Sequence, residues 1–406
     1  MSRCDPKGCW CFAGAAAHSW RVNTVRLGII GLGNIGKYHA DYLLNRKVAR
    51  AELTAVADAF APLDHYAGRG LRTFGEGDQL IRSGAVDALI IATPHYQHTT
   101  LGIAGFAAGL HVLVEKPISV HKADAERLLA AAAARPDLVF GAMFQLRTEP
   151  RYVKIKRLID TGELGQLARV SWIMTDWFRT EAYYASGGWR ATWKGEGGGA
   201  LLNQCPHNLD VLQWLCGKPV RVRGFCQLGR YHQIEVEDNV TGYLEWASGA
   251  TGVFVTSTGE APGTNRLEIA GTRGKLVLEH DQLTFTRNET DMVTFSREAK
   301  SGFARPDVWN VEVPFDNAPA QHATITQNFV DAILDGTPLI APGPEGLASV
   351  ELANAMLYSS LTGQTVALPL DGAAYERKLQ DLVAASKYEK KVVAVAGEDF
   401  TKSFIR

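Results

Sequence analysis

Val25-Arg26-Leu27-Gly28-Ile29-Ile30-Gly31-Leu32-Gly33-Asn34-Ile35-Gly36 is the stretch that decides the fold. Its first six residues are β-rich and run directly into a G-x-G-x-x-G turn. Asn34 to Leu44 then carries Ile35, Tyr38, Tyr42, Leu43 and Leu44 at helical spacing. In such a turn the first glycine makes the tight bend, the second lets backbone approach a pyrophosphate, and the third lets the helix close on the strand. The phosphates then lie at the positive N-terminus of the helix. Alone the turn is a weak signal. The next strand, Ala51 to Ala57, ends in Asp58, 22 residues after Gly36, and supplies the missing context. A carboxylate there accepts hydrogen bonds from the adenosine ribose and repels a 2′-phosphate. No Arg or Lys follows in Ala59-Phe60-Ala61 to clamp one. NAD is therefore the expected cofactor and NADP the weaker alternative, with Gly31, Gly33, Asn34, Ile35, Gly36 and Asp58 as its ligands.

Outward from this turn the pattern repeats. Val86 to Ala92 is an apolar strand stopped by Thr93-Pro94, and a helical stretch rich in Ala and Gly follows it. His111 to Val114 is a strand closed by Glu115-Lys116-Pro117. An alanine-rich helix over about 123–134 leads to a strand at 138–144. Strands alternating with helices form parallel βαβ units with right-handed crossovers, so 25–147 reads as a Rossmann NAD-binding domain. After 147 the strand-like stretches 166–177, 219–228, 240–247, 250–257, 265–270 and 274–278 are separated by Gly-containing turns, with one helix near 207–216. Helical sections follow at 324–335 and 344–361. The expected class is α/β: an N-terminal Rossmann domain, then a C-terminal α/β domain over 148–372 with a large, open, mainly antiparallel sheet. A C-terminal helix, about 373–387, and a tail would complete 373–406.

A chain of 406 residues exceeds one hydrophobic core and calls for two domains. Forty-two basic against 43 acidic residues leave no surplus to attract nucleic acid or an anionic membrane. No apolar run is long enough to span a bilayer. Cys4, Cys9 and Cys11 lie near the start, and Cys205, Cys216 and Cys226 far downstream. None forms a paired C-x-x-C array, so reduced thiols in a cytoplasmic enzyme fit better than a zinc site. Arg3 and Lys7 before Trp10 to Ala17 faintly imitate a secretory signal, but His18, Ser19 and Trp20 interrupt it. Residues 1–24 read instead as a disordered extension or the product of an early start codon. His95, His98 and His111 have no partnered carboxylate or cysteine spacing, and no metal is expected.

Several stations together match one family. They are the GLGNIG turn, Ala92-Thr93-Pro94 with His98 four residues beyond the proline, Glu115-Lys116-Pro117, Gly162 to Gly165, Gly197-Gly198-Gly199, and Asn203 with His207 and Asp210. From about 25 to 370 the chain resembles the Gfo/Idh/MocA oxidoreductases, the glucose–fructose oxidoreductase and inositol dehydrogenase superfamily. The resemblance implies a nicotinamide held between two domains and reversible hydride transfer to or from a carbinol carbon of a sugar, cyclitol or polyol. It also implies a homodimer or homotetramer built on the open sheet. It places Thr93, Pro94, His98, Glu115, Lys116 and Gln145 along the cofactor, with His98 near the nicotinamide ribose.

Lys116 ends a strand of a parallel sheet, where such sheets bind ligands. Its ammonium would hydrogen-bond the substrate oxygen as negative charge grows on it. His207, with an ordinary pKa near 6.5, suits proton exchange at neutral pH, and Asp210, three residues on, would orient or balance the ring. The family pattern D-x-G-x-H is altered here to Asn203-Gln204-Cys205-Pro206-His207. An amide exchanges no proton in this range, so Asn203 becomes a ligand for a substrate hydroxyl or for the lysine. Proton transfer then rests on His207 and Lys116, and a simple inositol-dehydrogenase assignment is put in doubt. Trp172, Trp177, Phe178, Tyr183, Tyr184, Trp189 and Trp193 crowd one segment. They serve either sugar stacking or core packing. Trp189-Arg190 is the favoured pocket pair, with Arg179 and Lys194 as further donors. Gln145 and Arg147 end the last Rossmann strand and either line the cleft or form a junction.

An NAD-dependent dehydrogenase acting on a secondary alcohol of a sugar, glycoside or cyclitol is the leading reading. One alternative is a glycosidase that retains NAD and eliminates the aglycone through a 3-keto intermediate. Another is a non-catalytic NAD or sugar sensor, against which Lys116 and His207 argue.

Overall fold

The structure, a computed structural model, describes residues 24–316 and 321–393. The expected N-terminal extension up to residue 23, with Cys4, Cys9 and Cys11, lies outside the described residues, as does the tail beyond 393.

The first sheet is built from β1 (Val25–Ile30), β2 (Ala51–Ala57), β3 (Arg72–Phe74), β4 (Ala88–Ile91), β5 (His111–Val114) and β6 (Phe140–Ala142). All pairings are parallel, in the order β3-β2-β1-β4-β5-β6. Helices cover both faces of such a sheet, which is why β4 reads as the unbroken apolar run Ala-Leu-Ile-Ile and is wholly buried. The strand order reverses between β1 and β4. Ligands bind at that switch point, beyond the carboxyl ends of the strands. The segment 59–85 holds β3 and two short helices, Asp64–Ala67 and Gly77–Ile81, that the sequence pattern does not announce. Elements of three to five residues are too short to show a period. The last strand stops at Ala142, short of the expected 144, because a 3₁₀ turn begins at Gln145.

The second sheet has nine strands. They are β7 (Leu167–Met174), β8 (Arg221–Leu228), β9 (Glu237–Glu245), β10 (Thr251–Ser257), β11 (Asn265–Gly271), β12 (Gly274–Glu279), β13 (Gln282–Asn288), β14 (Val308–Glu312) and β15 (Val366–Ala367). Their order is β14-β13-β12-β11-β7-β10-β9-β8-β15, antiparallel throughout except for β7 with β10. Successive residues of a strand point to opposite faces. Val222, Leu244, Phe254 and Trp172 point inward and are buried, where the helices Pro206–Cys216 and Gly346–Thr362 cover them. Gly224 is needed under the second helix, since a Cβ there would stand 2.0 Å from the Met356 carbonyl. Phe225, Tyr243 and Val253 point outward and are exposed.

The chain then returns to the first core. The helix His322–Asp335 sends Ile325, Phe329 and Val330 into the Rossmann core, Tyr42 Oη lies 2.7 Å from Thr326 Oγ1, and Arg50 pairs with Asp331 at 2.6 Å. Residues 322–335, assigned by sequence to the second domain, therefore pack on the first. Past the helix Gly372–Ala385, residues 386–393 run back over the second sheet's side of the molecule. There Tyr388 donates to the Gln233 carbonyl at 2.6 Å and the Val393 amide to that of Ala185 at 3.1 Å. Among the described residues no helix is long and apolar enough to cross a membrane.

Candidate active site between the two cores

A cleft of about 2660 Å³ opens along the carboxyl ends of the first sheet and is closed opposite by residues of the 177–207 region. At one end lies the glycine turn. Gly31 has φ +95°, and a Cβ on it would meet the Ala92 carbonyl at 2.6 Å; a Cβ on Gly36 would lie 1.9 Å from the Gly31 oxygen. Gly33 differs, because nothing stands within 4 Å of its missing Cβ and it faces open cleft. The helix Asn34–Leu44 begins there without a side-chain cap or an acidic residue in its first turn, so its amides are left for an anion. Asp58 Oδ2 accepts from the Leu32 amide at 2.6 Å, and Oδ1 from Phe60 and Ala61. Burial alone would raise this carboxyl's pKa, but those three amides outweigh it and hold it below the ordinary value. The carboxylate is thus charged, and Oδ2 retains a lone pair for a ribose hydroxyl. The Thr93 hydroxyl, on the cleft wall, is buried with no partner among the described residues. These features fit NAD.

His98 was expected at the nicotinamide ribose. It lines the cleft, but its two ring nitrogens face the Pro117 and Thr93 carbonyls at 2.7 and 2.8 Å. The ring lies between the ends of β4 and β5, so His98 stays on the cleft wall with both nitrogens turned to backbone. Glu115 likewise turns away from the cleft's centre. Its Oε1 lies 2.8 Å from His39 Nε2, whose other nitrogen reaches Tyr42 Oη at 2.7 Å. Burial would raise the Glu115 pKa, yet the His39 contact prevails and holds it low, leaving a carboxylate beside Lys116.

Lys116 leaves β5 into the cleft and donates from Nζ to the Asn203 carbonyl at 2.8 Å. Burial depresses its pKa, opposed by Glu115 and assisted by Arg190. The Asn203 amide group donates to Glu196, which also accepts from the Ala191 amide at 2.5 Å. Burial raises the Glu196 pKa, and Arg190, the Ala191 amide and Asn203 pull it back. Across the cleft, at the start of the helix Pro206–Cys216, His207 Nε2 lies 3.2 Å from the Gln145 amide nitrogen and its ring stands edge-on to Phe144. The sequence pattern therefore brings Lys116, Asn203, Gln145 and His207 to one place.

It does not bring Arg147 and Asp210 there. Both are buried, neither lines the cleft, and they pair bidentately at 2.8 and 2.6 Å. Arg147 also reaches Glu345, bolting the 3₁₀ turn after β6 to the helix Pro206–Cys216 and to the loop before the helix Gly346–Thr362. The substrate contacts expected of both residues give way to a junction between the two halves, which was the other reading left open for Arg147, since a fork spent on one carboxylate has little left to offer. The aromatic residues divide as well. Trp177, Phe178, Tyr183 and Trp189 line the cleft, while Trp172, Tyr184 and Trp193 are core. Arg179 and Arg190 line the cleft; Lys194 is exposed outside it.

Sequence reasoning missed Glu196 and His39. Glu196 stands directly before Gly197-Gly198-Gly199, and His39 three residues after Gly36, so position in a motif was the available signal. A grouping of His121, Asp124 and Glu376 has metal-like spacing, but it lies outside the cleft, and Arg127 already pairs with both carboxylates at 2.6 and 2.5 Å.

Comparison with known proteins places these features. Residues 25–142 match the oxidoreductase family with an NAD-binding Rossmann fold, and residues 152–277 match the GFO/IDH/MocA C-terminal domain. Inositol 2-dehydrogenase of Rhizobium meliloti is 28% identical over 83% of this chain and 97% of its own length. The scyllo-inositol 2-dehydrogenase (NAD(+)) of Bacillus subtilis is 24% identical over 86% and 98%. The WlbA dehydrogenase of Bordetella pertussis, solved with NADH and UDP-GlcNAcA, superposes with a TM-score of 0.72 at 27% identity, over 86% of this chain and all of that one. Levoglucosan dehydrogenase with NADH shares the fold at 20% identity, TM-score 0.70.

Proposed function

This chain belongs to the Gfo/Idh/MocA oxidoreductase family, and from that premise we propose that its cleft oxidises a secondary alcohol of a sugar, glycoside or cyclitol, with Lys116 and His207 as the working pair. The observation that carries the reading is the placement of both side chains in one cleft with the glycine turn, although they come from different sheets' connections. The named relatives, two inositol dehydrogenases and a dehydrogenase solved with UDP-GlcNAcA, support the substrate class.

When bound, NAD supplies the acceptor for the hydride leaving the carbinol carbon. The rest falls to the protein. His207 takes the hydroxyl proton, held in orientation by Gln145. The Lys116 ammonium donates to the same oxygen and stabilises the charge that collects there; removing a donor of this kind costs about 10²–10³ in rate. Asn203 holds Lys116 through its carbonyl, and Glu196 holds Asn203, so Glu196 is a positioning residue. Gly31, Gly33, Asn34 and Ile35 would cradle the cofactor's phosphates, while Gly36, expected there too, lies behind the cleft lining and lets the helix close on the strand; Asp58 would meet the ribose, with Thr93 and Pro94 on the wall and Trp189 against the substrate.

The assembly proposed is a homodimer or homotetramer through the outer face of the nine-stranded sheet. Its support is the exposed run Phe225, Tyr243 and Val253, of which Tyr243 and Val253 are direct cross-strand partners. The functional test is NADH formation, followed at 340 nm, against inositols, glucosides and anhydrosugars. NADH appearing in step with a keto product supports the reading. Aglycone release without net NADH replaces it with the eliminating glycosidase, and no chemistry with any of them, despite stoichiometric NAD binding, overturns it.

A further inference from the structure

Two guanidinium groups in the substrate half of the cleft have no carboxylate partner among the described residues. Arg179 lies 4.9 Å from the Trp177 ring centre and 5.0 Å from that of Tyr183; Arg190 lies 4.7 Å from the rings of both Tyr183 and Trp189. Among the described residues neither has an Asp or Glu oxygen within 4.0 Å. Several arginines of the chain are matched with acids, among them Arg26, Arg50, Arg147 and Arg151; among the described residues Arg72, Arg223 and Arg230 also stack on rings without an acid, but outside the cleft. Arg179 donates to the Phe178 carbonyl at 3.0 Å and Arg190 to Tyr183 Oη at 2.9 Å, which leaves most of their five donors unspent. The Arg179 Nε–H is buried with no acceptor at all among the described residues.

The surroundings deepen the imbalance. Lys116 and Lys390 stand near the pair, against Glu115, already engaged by His39, and Glu196. That carboxyl sits behind Asn203, outside the cleft lining, and is already engaged by Asn203 and the Ala191 amide. Stacking on aromatic faces holds a guanidinium in place while keeping its N–H edges open to an in-plane oxyanion. Neutral hydroxyls would be met as well by amides, without the cost of half-burying unmatched charge. The cofactor does not resolve this, because its phosphates belong at the helix Asn34–Leu44, on the opposite wall.

We propose that the substrate is an anionic sugar, whose carboxylate or phosphoryl oxygens are held by Arg179 and Arg190 while its carbinol faces Lys116. This rests on the dehydrogenase reading and narrows it, since the same arginines would otherwise serve only as hydroxyl donors. A carboxylate satisfies the pair with two oxygens in one plane; a phosphoryl group does so with three.

Calorimetric titration of the NADH-loaded protein tests it, with glucuronate, galacturonate and glucose 1-phosphate set against glucose, galactose and myo-inositol. At least one anionic sugar should bind ten-fold or more tighter than its neutral counterpart. The uronates winning identifies a carboxylate, and the phosphate winning a phosphoryl group. Arg190→Gln and Arg179→Gln should each remove that preference with NADH affinity retained, and Arg190→Lys should restore part of it. Neutral sugars binding as tightly as the anionic ones, or both classes losing the same factor in the Gln variants, overturns the proposal. Neutral polyols oxidised while anionic sugars fail to bind would sink this inference and leave the dehydrogenase standing. Anionic sugars bound without any NADH formed would do the reverse.

Discussion

Glu196 shows what one buried carboxyl does for a lysine it does not touch. Its charge raises the Lys116 pKa against the depression caused by burial. Glu196→Gln keeps an oxygen to accept from Asn203 and removes the charge. The limb of the pH profile of kcat/KM that belongs to Lys116 should therefore move to lower pH, with KM for NAD unchanged. A limb that stays in place would leave Glu196 a purely structural residue. The Glu237 pKa is raised by burial as that of Glu196 is, and further. Its Oε1 accepts from the Gly199 and Leu201 amides at 2.8 and 3.1 Å, its Oε2 is buried without a partner among the described residues, and burial pushes its pKa from 4.5 to about 7. An acid whose folded pKa is raised loses stability as pH climbs through that interval, and the whole loss is present above about 7. Glu237→Gln should then stabilise the protein at pH 8 by about 1–3 kcal/mol and do little near pH 4.5. Equal melting shifts at both pH values would contradict this. Lys116, His207 and the Asn203 substitution were legible in the sequence because each occupies a motif position. Arg147 was legible only as one of two readings, and the roles of Glu196 and Asp210 were not legible, since a side chain's partner depends on which distant segment packs beside it.

At the scale of elements the glycine turn offers a matched pair of substitutions. Gly33→Ala adds a methyl to open cleft, so the melting temperature should hold while NADH affinity falls ten-fold or more. Gly36→Ala drives a Cβ to 1.9 Å from the Gly31 oxygen and should lower the melting temperature itself. Fluorescence titration and thermal melting separate the two; equal losses of stability would mean that Gly33 serves the fold and not the cofactor. Long elements with a clear period, such as β1, β2 and the helix Pro206–Cys216, stood where the sequence placed them. β3, β13 and β14 did not announce themselves. β3 has three residues, and β14 is exposed along its whole length and so shows no apolar alternation.

Over the whole molecule, two cores are joined by a crossing of the chain as well as by packing. The return of the helix His322–Asp335 to the Rossmann core left no trace in the sequence, because an amphipathic helix does not say which core takes its apolar face. The Arg147–Asp210 pair fixes the two halves about the cleft, and Asp210→Ala leaves the buried guanidinium only the half-exposed Glu345 as a charged partner. It should cost about 3–5 kcal/mol by denaturant unfolding, and a loss under 1 kcal/mol would remove the pair from that role. If the outer sheet face is the subunit interface, Phe225→Glu with Tyr243→Glu should convert the oligomer to monomer in light scattering; an unchanged mass would place the contact elsewhere. The claim on which everything else depends is that this cleft moves a hydride, and isotope tracing reads it most directly. With a turned-over sugar deuterated at its carbinol carbon, the account predicts deuterium on the released NADH by mass spectrometry, lost in Lys116→Ala although that variant still binds NAD. Unlabelled NADH, label retained wholly in the sugar product, or full transfer by Lys116→Ala would contradict it.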